Sequence, residues 1–254
     1  MGVVLQEIKE SVAWVWLNRP RRLNAIDETM LAELRSAFEG LEQSETVRAV
    51  VLAGHGPAFS AGFDVAWMAG QDAETMADGL DGVRAVYEVI ESCAQPLIAA
   101  VHGAAMGGGL LLALVADCRL ASDTARFGAP EVKIGLFPSL NLVPRLERAV
   151  GVGAAKRMVL TGDSLDASES LRIRLVERVV PAEKLFDTAQ SLAEQIAALP
   201  PSAVQLSKAA FAAARRPGYA AWEKVQFAAC WRSPEREAAM RAFLKRSPPA
   251  RSGN

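Results

Sequence analysis

The order of apolar and polar positions along the chain predicts strands that alternate with helices. Two apolar runs, at residues 3–8 and 12–17, are separated by a short polar turn, which indicates a hairpin. Between residues 27 and 42 the apolar side chains recur every three or four positions, as in an amphipathic helix, and Asp27 is a suitable N-cap. The chain therefore starts with two strands followed by a helix.

The middle of the chain continues this alternation. Apolar runs at residues 47–53 and 97–101 predict buried strands, and the segment 72–93 between them predicts a helix. Shorter strands are predicted at residues 115–121, 125–127 and 176–180. Strands that alternate with helices are typical of an α/β fold with parallel strand pairing.

The composition changes near residue 200, where an Ala-rich helical pattern begins. We expect breaks in that pattern at residues 216–218 and 233–234, and we find no strand candidate after Val180. The sequence therefore predicts an α/β core over residues 1–199 and a small helical C-terminal subdomain over residues 200–254.

Composition narrows the class of protein. The chain has 254 residues, of which 51% are hydrophobic and 22% charged, which is enough apolar material for a substantial core. A net charge of −1 without a basic cluster argues against a nucleic-acid partner. No apolar run has membrane-spanning length, the N-terminus lacks the layout of a signal peptide, and the three cysteines are widely spaced. We therefore expect a cytoplasmic enzyme.

Two glycine-containing turns carry the strongest functional signal. Residues 58–64 follow the run at 49–53, residues 107–109 follow the run at 97–101, and both turns lead into helix-compatible sequence. Glycine allows tight turns and close approach to a ligand, and the first N–H groups of a helix have no partner within it. Two such turns side by side could direct two N–H groups at one oxygen, which is the geometry of an oxyanion hole.

These turns also resemble a known family. Phe59-Ser60-Ala61-Gly62-Phe63-Asp64 and the run at residues 96–109 resemble the two signatures of the crotonase (enoyl-CoA hydratase/isomerase) superfamily. The similarity continues in order at residues 18–25, 116–119, 127–131, 151–160, 175–181 and 240–244. The resemblance implies a crotonase-like spiral of ββα units with C-terminal helices that form a homotrimer or a hexamer (a dimer of trimers).

The resemblance assigns three catalytic roles. It implies that the backbone N–H groups of Phe63 and Gly108 form the oxyanion hole and that Glu131 is the acid/base. The substrate would be an acyl-CoA thioester, so that coenzyme A arrives with the substrate and no separate cofactor is needed. Taken alone, these residues are better explained as a core aromatic, a packing turn and a glutamate at a helix start.

Further residues are implied to bind the acyl-CoA. They are Arg22, Leu23, Ala25, Ala61, Asp64, Val65, Gly107, Leu111, Pro130 and Ser139. Arg22 is a plausible phosphate partner, although a solvated loop arginine is an equal alternative. Asp64 is better suited to capping a turn than to chemistry. Neither histidine has metal-ligand spacing, so no metal is expected.

We expect apolar neighbours to bury Glu131 in part. Val132, Ile134, Leu136 and Phe137 follow it closely in the sequence. Burial disfavours the ionised carboxylate and would raise the pKa of Glu131.

Position 111 departs from the family pattern. Hydratases of the family carry a second glutamate two residues after the glycine triplet, where this chain has Leu111. Addition of water to a double bond benefits from two acid/base groups, whereas a proton shift from C4 to C2 needs only one. The sequence therefore favours isomerisation of a 3-enoyl-CoA to a 2-enoyl-CoA, with a 2-enoyl-CoA hydratase that uses the single glutamate as the alternative.

The segment 138–142 departs in a related way. Leu140 and Leu142 replace glycines of the hydratase pattern and would narrow the acyl pocket, whereas Ser139 or Asn141 could hold a water and keep hydration possible.

A non-catalytic acyl-CoA-binding or RNA-associated scaffold is a further alternative. The near-zero net charge and the presence of Glu131 argue against it.

Overall fold

The computed structural model describes residues 2–214, 219–231, 233–235, 238 and 240. The chain divides into two compact units between Glu194 and Gln195. The first unit is mixed α/β. The second contains α-helices at Pro201–Ala213 and Tyr219–Trp231, and the break expected at 216–218 lies outside the described residues. The core boundary at residue 199 stays a prediction.

Nine strands are present in the described part of the chain. They are β1 (Val4–Lys9), β2 (Val12–Leu17), β3 (Ala49–Gly54), β4 (Leu97–Val101), β5 (Ala104–Met106), β6 (Cys118–Ser122), β7 (Arg126–Gly128), β8 (Leu165–Asp166) and β9 (Arg178–Val180). The main sheet has the order β1-β2-β3-β4-β6-β9, in which β1 and β2 form the antiparallel hairpin and the other pairs are parallel. The expected α/β arrangement with parallel pairing is confirmed.

Helices are present where the sequence predicts them, near residues 27–42 and 72–93, after the two turns and after residue 200, whereas three α-helices between residues 142 and 197 were not predicted. The α-helices are α1 (Glu28–Glu42), α2 (Val65–Ala69), α3 (Ala73–Ser92), α4 (Gly108–Leu114), α5 (Leu142–Thr161), α6 (Ala167–Arg172), α7 (Leu185–Ala197), α8 (Pro201–Ala213) and α9 (Tyr219–Trp231). The Asp27 side chain caps α1 by accepting from the Met30 N–H at 3.0 Å, as expected. The α1 stripe of Leu34, Phe38 and Leu41 is buried against the sheet.

A second sheet was not predicted. It consists of β5, β7 and β8, of which β7 overlaps the strand predicted at 125–127, whereas β5 and β8 lie where no strand was predicted. These strands have only two or three residues each, which is too short to show period-two alternation. The strand expected at 115–121 begins only at Cys118, because the apolar run before it completes helix α4.

No helix among the described residues is long and apolar enough to cross a membrane.

Asn24 joins the loop before α1 to the loop after β3. Its buried side chain accepts from the Arg19 N–H at 2.8 Å and donates to the carbonyls of His55 at 3.0 Å and Ala58 at 2.8 Å. Its φ of 55° lies in the left-handed region, which asparagine tolerates better than most residues. The side chain therefore fixes the entry to the first glycine-containing turn.

We expect Asn24→Ala to lower the free energy of unfolding by about 2–4 kcal/mol, because it removes these hydrogen bonds and strains the backbone. Asn24→Gly, which relieves only the strain, should fall between Asn24→Ala and the wild type in chemical denaturation. Asn141 is the matched control, since it has a φ of 61° but is exposed and makes no capping hydrogen bond. If Asn24→Ala costs no more than Asn141→Ala, the hydrogen bonds do not have this role.

Candidate active site

The first turn leaves the N–H of Phe63 available. Ile26 and Phe63 form a parallel bridge in which the Ile26 N–H donates to Gly62 and the Asp64 N–H donates to Ile26, both at 2.8 Å. In such a bridge the backbone groups of the central residue point to the other side. Accordingly, the Phe63 N–H has no acceptor within the described part of the chain.

The second turn presents the N–H of Gly108. Gly107 has a φ of 49° and its N–H donates to the carbonyl of Gly128 at 2.9 Å. Gly108 is the first residue of α4, so its N–H has no acceptor within the helix. Among the residues that the structure describes, no other acceptor is found for it.

The two turns are in direct backbone contact. The Met106 N–H donates to the carbonyl of Ser60 at 3.0 Å. A Cβ placed on Gly62 would lie 2.5 Å from the Met106 oxygen and 3.3 Å from the Gly108 nitrogen, so only glycine fits. This contact brings the free N–H groups of Phe63 and Gly108 to the wall of one cavity. The pair can donate to a single oxyanion.

Glu131 faces the second turn. It lies in a short 3-10 turn, Pro130–Ile134, and its Oε1 is 2.8 Å from the point that a Cβ of Gly107 would occupy. Its Oε2 is buried and has no hydrogen-bond partner among the described residues. Burial raises the pKa of Glu131 above its ordinary value of 4.5, as expected.

The sequence predicts that the apolar residues following Glu131 bury it, and this prediction is wrong. Val132, Ile134, Leu136 and Phe137 are all exposed, and Phe137 is 79% exposed. Ile134 in the 3-10 turn and Leu136 and Phe137 after it line the cavity although they are exposed, and Val132 does not line it. The close neighbour of the Glu131 carboxylate is the backbone at Gly107 instead.

A cavity of about 890 Å³ contains these groups. Nine of the predicted site residues line it: Ala61, Phe63, Val65, Gly107, Gly108, Leu111, Pro130, Glu131 and Ser139. The other four, Arg22, Leu23, Ala25 and Asp64, do not line it. Arg22 is exposed, and the Leu23 carbonyl accepts from the Ala61 N–H at 2.9 Å. The loop that holds Arg22 and Leu23 therefore supports the first turn through this hydrogen bond and does not line the cavity.

Asp64 has a structural environment. Its side chain caps α2 by accepting from the Ala66 N–H at 3.1 Å, and it pairs with Arg19 at 3.2 Å. Desolvation acts to raise the pKa of Asp64, but hydrogen bonds from the Trp67 N–H, Arg19 and the Ala66 N–H hold it below the usual value. Asp64 is therefore an ionised cap that orients α2.

Position 111 and the segment 138–142, which both depart from the hydratase pattern, contribute residues to the cavity wall. Leu111, Leu140 and Leu142 are buried and all three line it, next to Ser139. Asn141 is exposed and lies outside the lining, because its left-handed backbone directs it away. Of the two side chains expected to hold a water, only Ser139 borders the cavity.

Tyr87 was missed by the sequence analysis. It lies on α3, is 1% exposed, and its hydroxyl donates to the carbonyl of Gly108 at 3.1 Å. Its ring packs edge-on against Phe63 with 6.4 Å between ring centroids. Burial raises the pKa of Tyr87, so the hydroxyl remains a donor. Tyr87 therefore contacts both residues whose N–H groups are free, Phe63 and Gly108, and no local sequence signal reveals this.

The described residues contain no group of three or more His, Cys, Asp or Glu side chains that could hold a metal ion. His102 instead makes a hydrogen bond of 2.8 Å between its Nε2 and the carbonyl of Gly56, as expected of a structural histidine.

Fold and site together define an α/β protein in which two unpaired backbone N–H groups and one carboxylate share a cavity. The sequence profile of the enoyl-CoA hydratase/isomerase family matches residues 7–253, and the chain belongs to that family. It is 37% identical over 249 residues to a short-chain-enoyl-CoA hydratase of Clostridium acetobutylicum, which covers 96% of this chain and 95% of the relative. It is 34% identical over 248 residues to a crotonyl-CoA hydratase of Syntrophomonas wolfei, with the same coverage.

The fold comparison agrees with the sequence comparison. The crystal structure of an enoyl-CoA hydratase from Bacillus anthracis superposes with a TM-score of 0.92 at 31% identity, covering 99% of this chain and all of the other. The expected crotonase-like fold with helices at its C-terminus is confirmed.

We expect Tyr87→Phe to lower kcat about tenfold while KM stays within about twofold, because the oxyanion donors act mainly in the transition state. The change keeps the ring against Phe63 and removes only the hydrogen bond to Gly108. Ser122→Ala is the matched control, since it removes a buried hydroxyl that bonds Thr124 at 2.8 Å outside the cavity. Equal kcat values for the two variants would exclude this positioning role.

Proposed function

We propose that the chain hydrates a 2-enoyl-CoA thioester. The observation that carries this proposal is the partly buried Glu131 carboxylate, whose Oε2 is buried without a partner among the described residues, in the same cavity as the free N–H groups of Phe63 and Gly108. A thioester carbonyl that accepts from the two N–H groups places its acyl carbons beside the carboxylate. Negative charge that develops on the carbonyl oxygen during reaction is then stabilised.

One carboxylate is sufficient for the proton transfers. The oxygen of water bonds to C3 while Glu131 takes a proton from it, and the electrons of the double bond move toward the carbonyl oxygen. Glu131 then returns a proton to C2, so the net change is the addition of one water. Addition to a single face of the double bond lets the same side chain perform both steps. Ser139 at the cavity wall can orient the water.

The names of the relatives support hydration over isomerisation, the reverse of the order expected from Leu111. Both curated relatives described above are named as hydratases of enoyl-CoA or crotonyl-CoA thioesters. A buried leucine at position 111 favours the second candidate, isomerisation of a 3-enoyl-CoA, because a single base can move a proton from C4 to C2.

The proposal also covers the assembly and the location of the protein. We propose that the chain forms a homotrimer, alone or paired into a hexamer, in the cytoplasm. Phe227 and Trp231 of α9 are 65% and 51% exposed and pack on each other, which leaves an apolar helix surface suited to an interface. Coenzyme A is part of the substrate in this proposal, and Arg22 at the exposed loop remains a candidate phosphate partner.

We expect Glu131→Gln to lose at least ~10² in turnover while acyl-CoA binding is retained, because only the proton transfer is removed. With a 2-enoyl-CoA the wild type should consume the absorbance of the conjugated thioester. With a 3-enoyl-CoA an isomerase would generate that absorbance. A Glu131→Gln protein that keeps wild-type turnover on either substrate would contradict the proposed role.

The same variant should be more stable than the wild type near neutral pH. The pKa of Glu131 is raised in the folded state, so ionisation destabilises the fold as the pH rises from the unfolded value through the raised one. Glutamine does not ionise, and the difference in thermal midpoint should vanish below the unfolded pKa of 4.5. In the wild type, activity should fall as the pH drops through the raised pKa.

We expect Leu111→Glu to increase the ratio of hydratase to isomerase activity, because it supplies a second acid/base group at the cavity. A buried carboxylate costs stability, so thermal unfolding must be followed in parallel. Leu111→Gln is the matched control, with similar size and polarity but no proton to transfer. A folded Leu111→Glu protein with the same activity ratio as Leu111→Gln would show that the missing carboxylate does not limit hydration.

A further inference from the structure

The Arg19 guanidinium joins the loop before α1 to the first glycine-containing turn. Its Nη1 donates to the carbonyl of Ala25 at 2.5 Å. Its Nη2 lies 3.0 Å from Oδ2 of Asp27 and 3.2 Å from Oδ2 of Asp64. All three charged side chains are mostly buried, and none of them lines the cavity. The guanidinium is therefore a fixed link between two segments that are far apart in the sequence.

Each of the two aspartates also caps a helix. Asp27 Oδ1 accepts from the Met30 N–H in α1, and Asp64 Oδ1 accepts from the Ala66 N–H in α2. The second oxygen of each carboxylate contacts the same nitrogen of Arg19. The positive charge between them offsets the repulsion of two carboxylates at short range. One guanidinium thus holds the starts of α1 and α2 together.

Two peptide groups connect Arg19 to the free N–H of Phe63. The Ala25 carbonyl, which accepts from Arg19, belongs to the same planar peptide group as the Ile26 N–H. That N–H donates to the Gly62 carbonyl at 2.8 Å, and this carbonyl shares its peptide group with the Phe63 N–H. Because C=O and N–H point in opposite directions in a trans peptide group, the direction of each hydrogen bond is passed to the next. Hydrogen bonds in such a series also polarise one another.

We propose that Arg19 is a positioning residue for the oxyanion hole, and that through these two peptide groups it directs the Phe63 N–H at the carbonyl oxygen of the thioester. This inference rests on the proposed acyl-CoA chemistry. Gly62 restrains its own peptide group little, since it has no Cβ and a φ of 91°. A role of Arg19 in stability alone would change the thermal midpoint without changing the affinity for an oxyanion, and the two are measured separately.

The test is Arg19→Lys, studied with a stable oxyanion. Lysine keeps the charge beside the two aspartates, but one ammonium replaces the planar fork whose other nitrogen holds Ala25. Acetoacetyl-CoA, a 3-ketoacyl thioester, ionises to an enolate that is followed by its ultraviolet absorbance. The pKa of this probe when bound should be about one pH unit higher in the variant than in the wild type, and kcat should fall about tenfold, because both measure the same lost stabilisation. Affinity for butyryl-CoA, whose carbonyl stays neutral, and KM should stay within about twofold.

Arg119→Lys is the matched control. The Arg119 side chain is 13% exposed against 17% for Arg19. It donates to the carbonyls of Leu175 at 2.8 Å and Ala116 at 3.0 Å and pairs with Glu177, and none of these residues lines the cavity. Both variants should lower the thermal midpoint, whereas only Arg19→Lys should raise the pKa of the bound probe.

Asp64→Asn tests the same link from the other end. Asparagine is still a good cap for α2, but it lacks the charge that holds the guanidinium. The pKa of the bound probe and kcat should therefore change in the same direction as in Arg19→Lys, by less.

The outcomes separate the two proposals. If the wild type lowers the pKa of bound acetoacetyl-CoA and both Arg19→Lys and Asp64→Asn lower it equally, Arg19 does not position the oxyanion donor. Equal changes in Arg19→Lys and Arg119→Lys overturn that role as well. A wild type that binds neither butyryl-CoA nor acetoacetyl-CoA and turns no enoyl-CoA over overturns the proposed function itself.

Discussion

The contact between the backbones of the two glycine-containing turns is the constraint on which the site depends. Met106 donates to Ser60, and the hydrogen atoms of Gly62 face the Met106 carbonyl where a Cβ would not fit. Because the turns follow the parallel neighbours β3 and β4, they emerge at the same edge of the sheet. The sheet register therefore sets the separation of the free N–H groups of Phe63 and Gly108, both of which belong to the backbone.

Glu131 is coupled to this contact through its surroundings. Its Oε1 lies against Gly107, so the residue that precedes α4 also limits where the carboxylate can be. Its Oε2 is buried without a hydrogen-bond partner among the described residues, and burial raises the pKa of the group. A carboxylate in this state accepts and returns protons near neutral pH more readily than a solvated one. The packing of the backbone thus determines both the position and the basicity of the Glu131 carboxylate.

Most of the main sheet, and the meeting of Phe63, Gly108 and Glu131 at one cavity, could be predicted from the sequence, because they follow from local patterns. The apolar runs mark β3 and β4, Asp27 marks the start of α1, and the glycine motifs mark the turns. Contacts between residues far apart in the chain leave no such local pattern in the sequence. The sheet of β5, β7 and β8 pairs very short strands, and Tyr87 reaches Gly108 across 21 positions of the chain. The exposure of Phe137 likewise depends on how the 3-10 turn meets the cavity.

Several features that disfavour stability gather around one cavity. Two N–H groups lack acceptors among the described residues, a buried carboxylate oxygen lacks a donor, and α3 carries glycines that each cost about 1 kcal/mol in a helix interior. Outside the cavity the buried polar groups of Asn24 and Ser122 are satisfied, but His102 Nδ1, Arg145 Nε and Ser170 Oγ also have no partner among the described residues. Sequences depart from the rules of stability mainly where function requires it. Unpartnered buried atoms alone therefore do not identify the reactive volume, and it is their coincidence with the family motifs that marks this cavity.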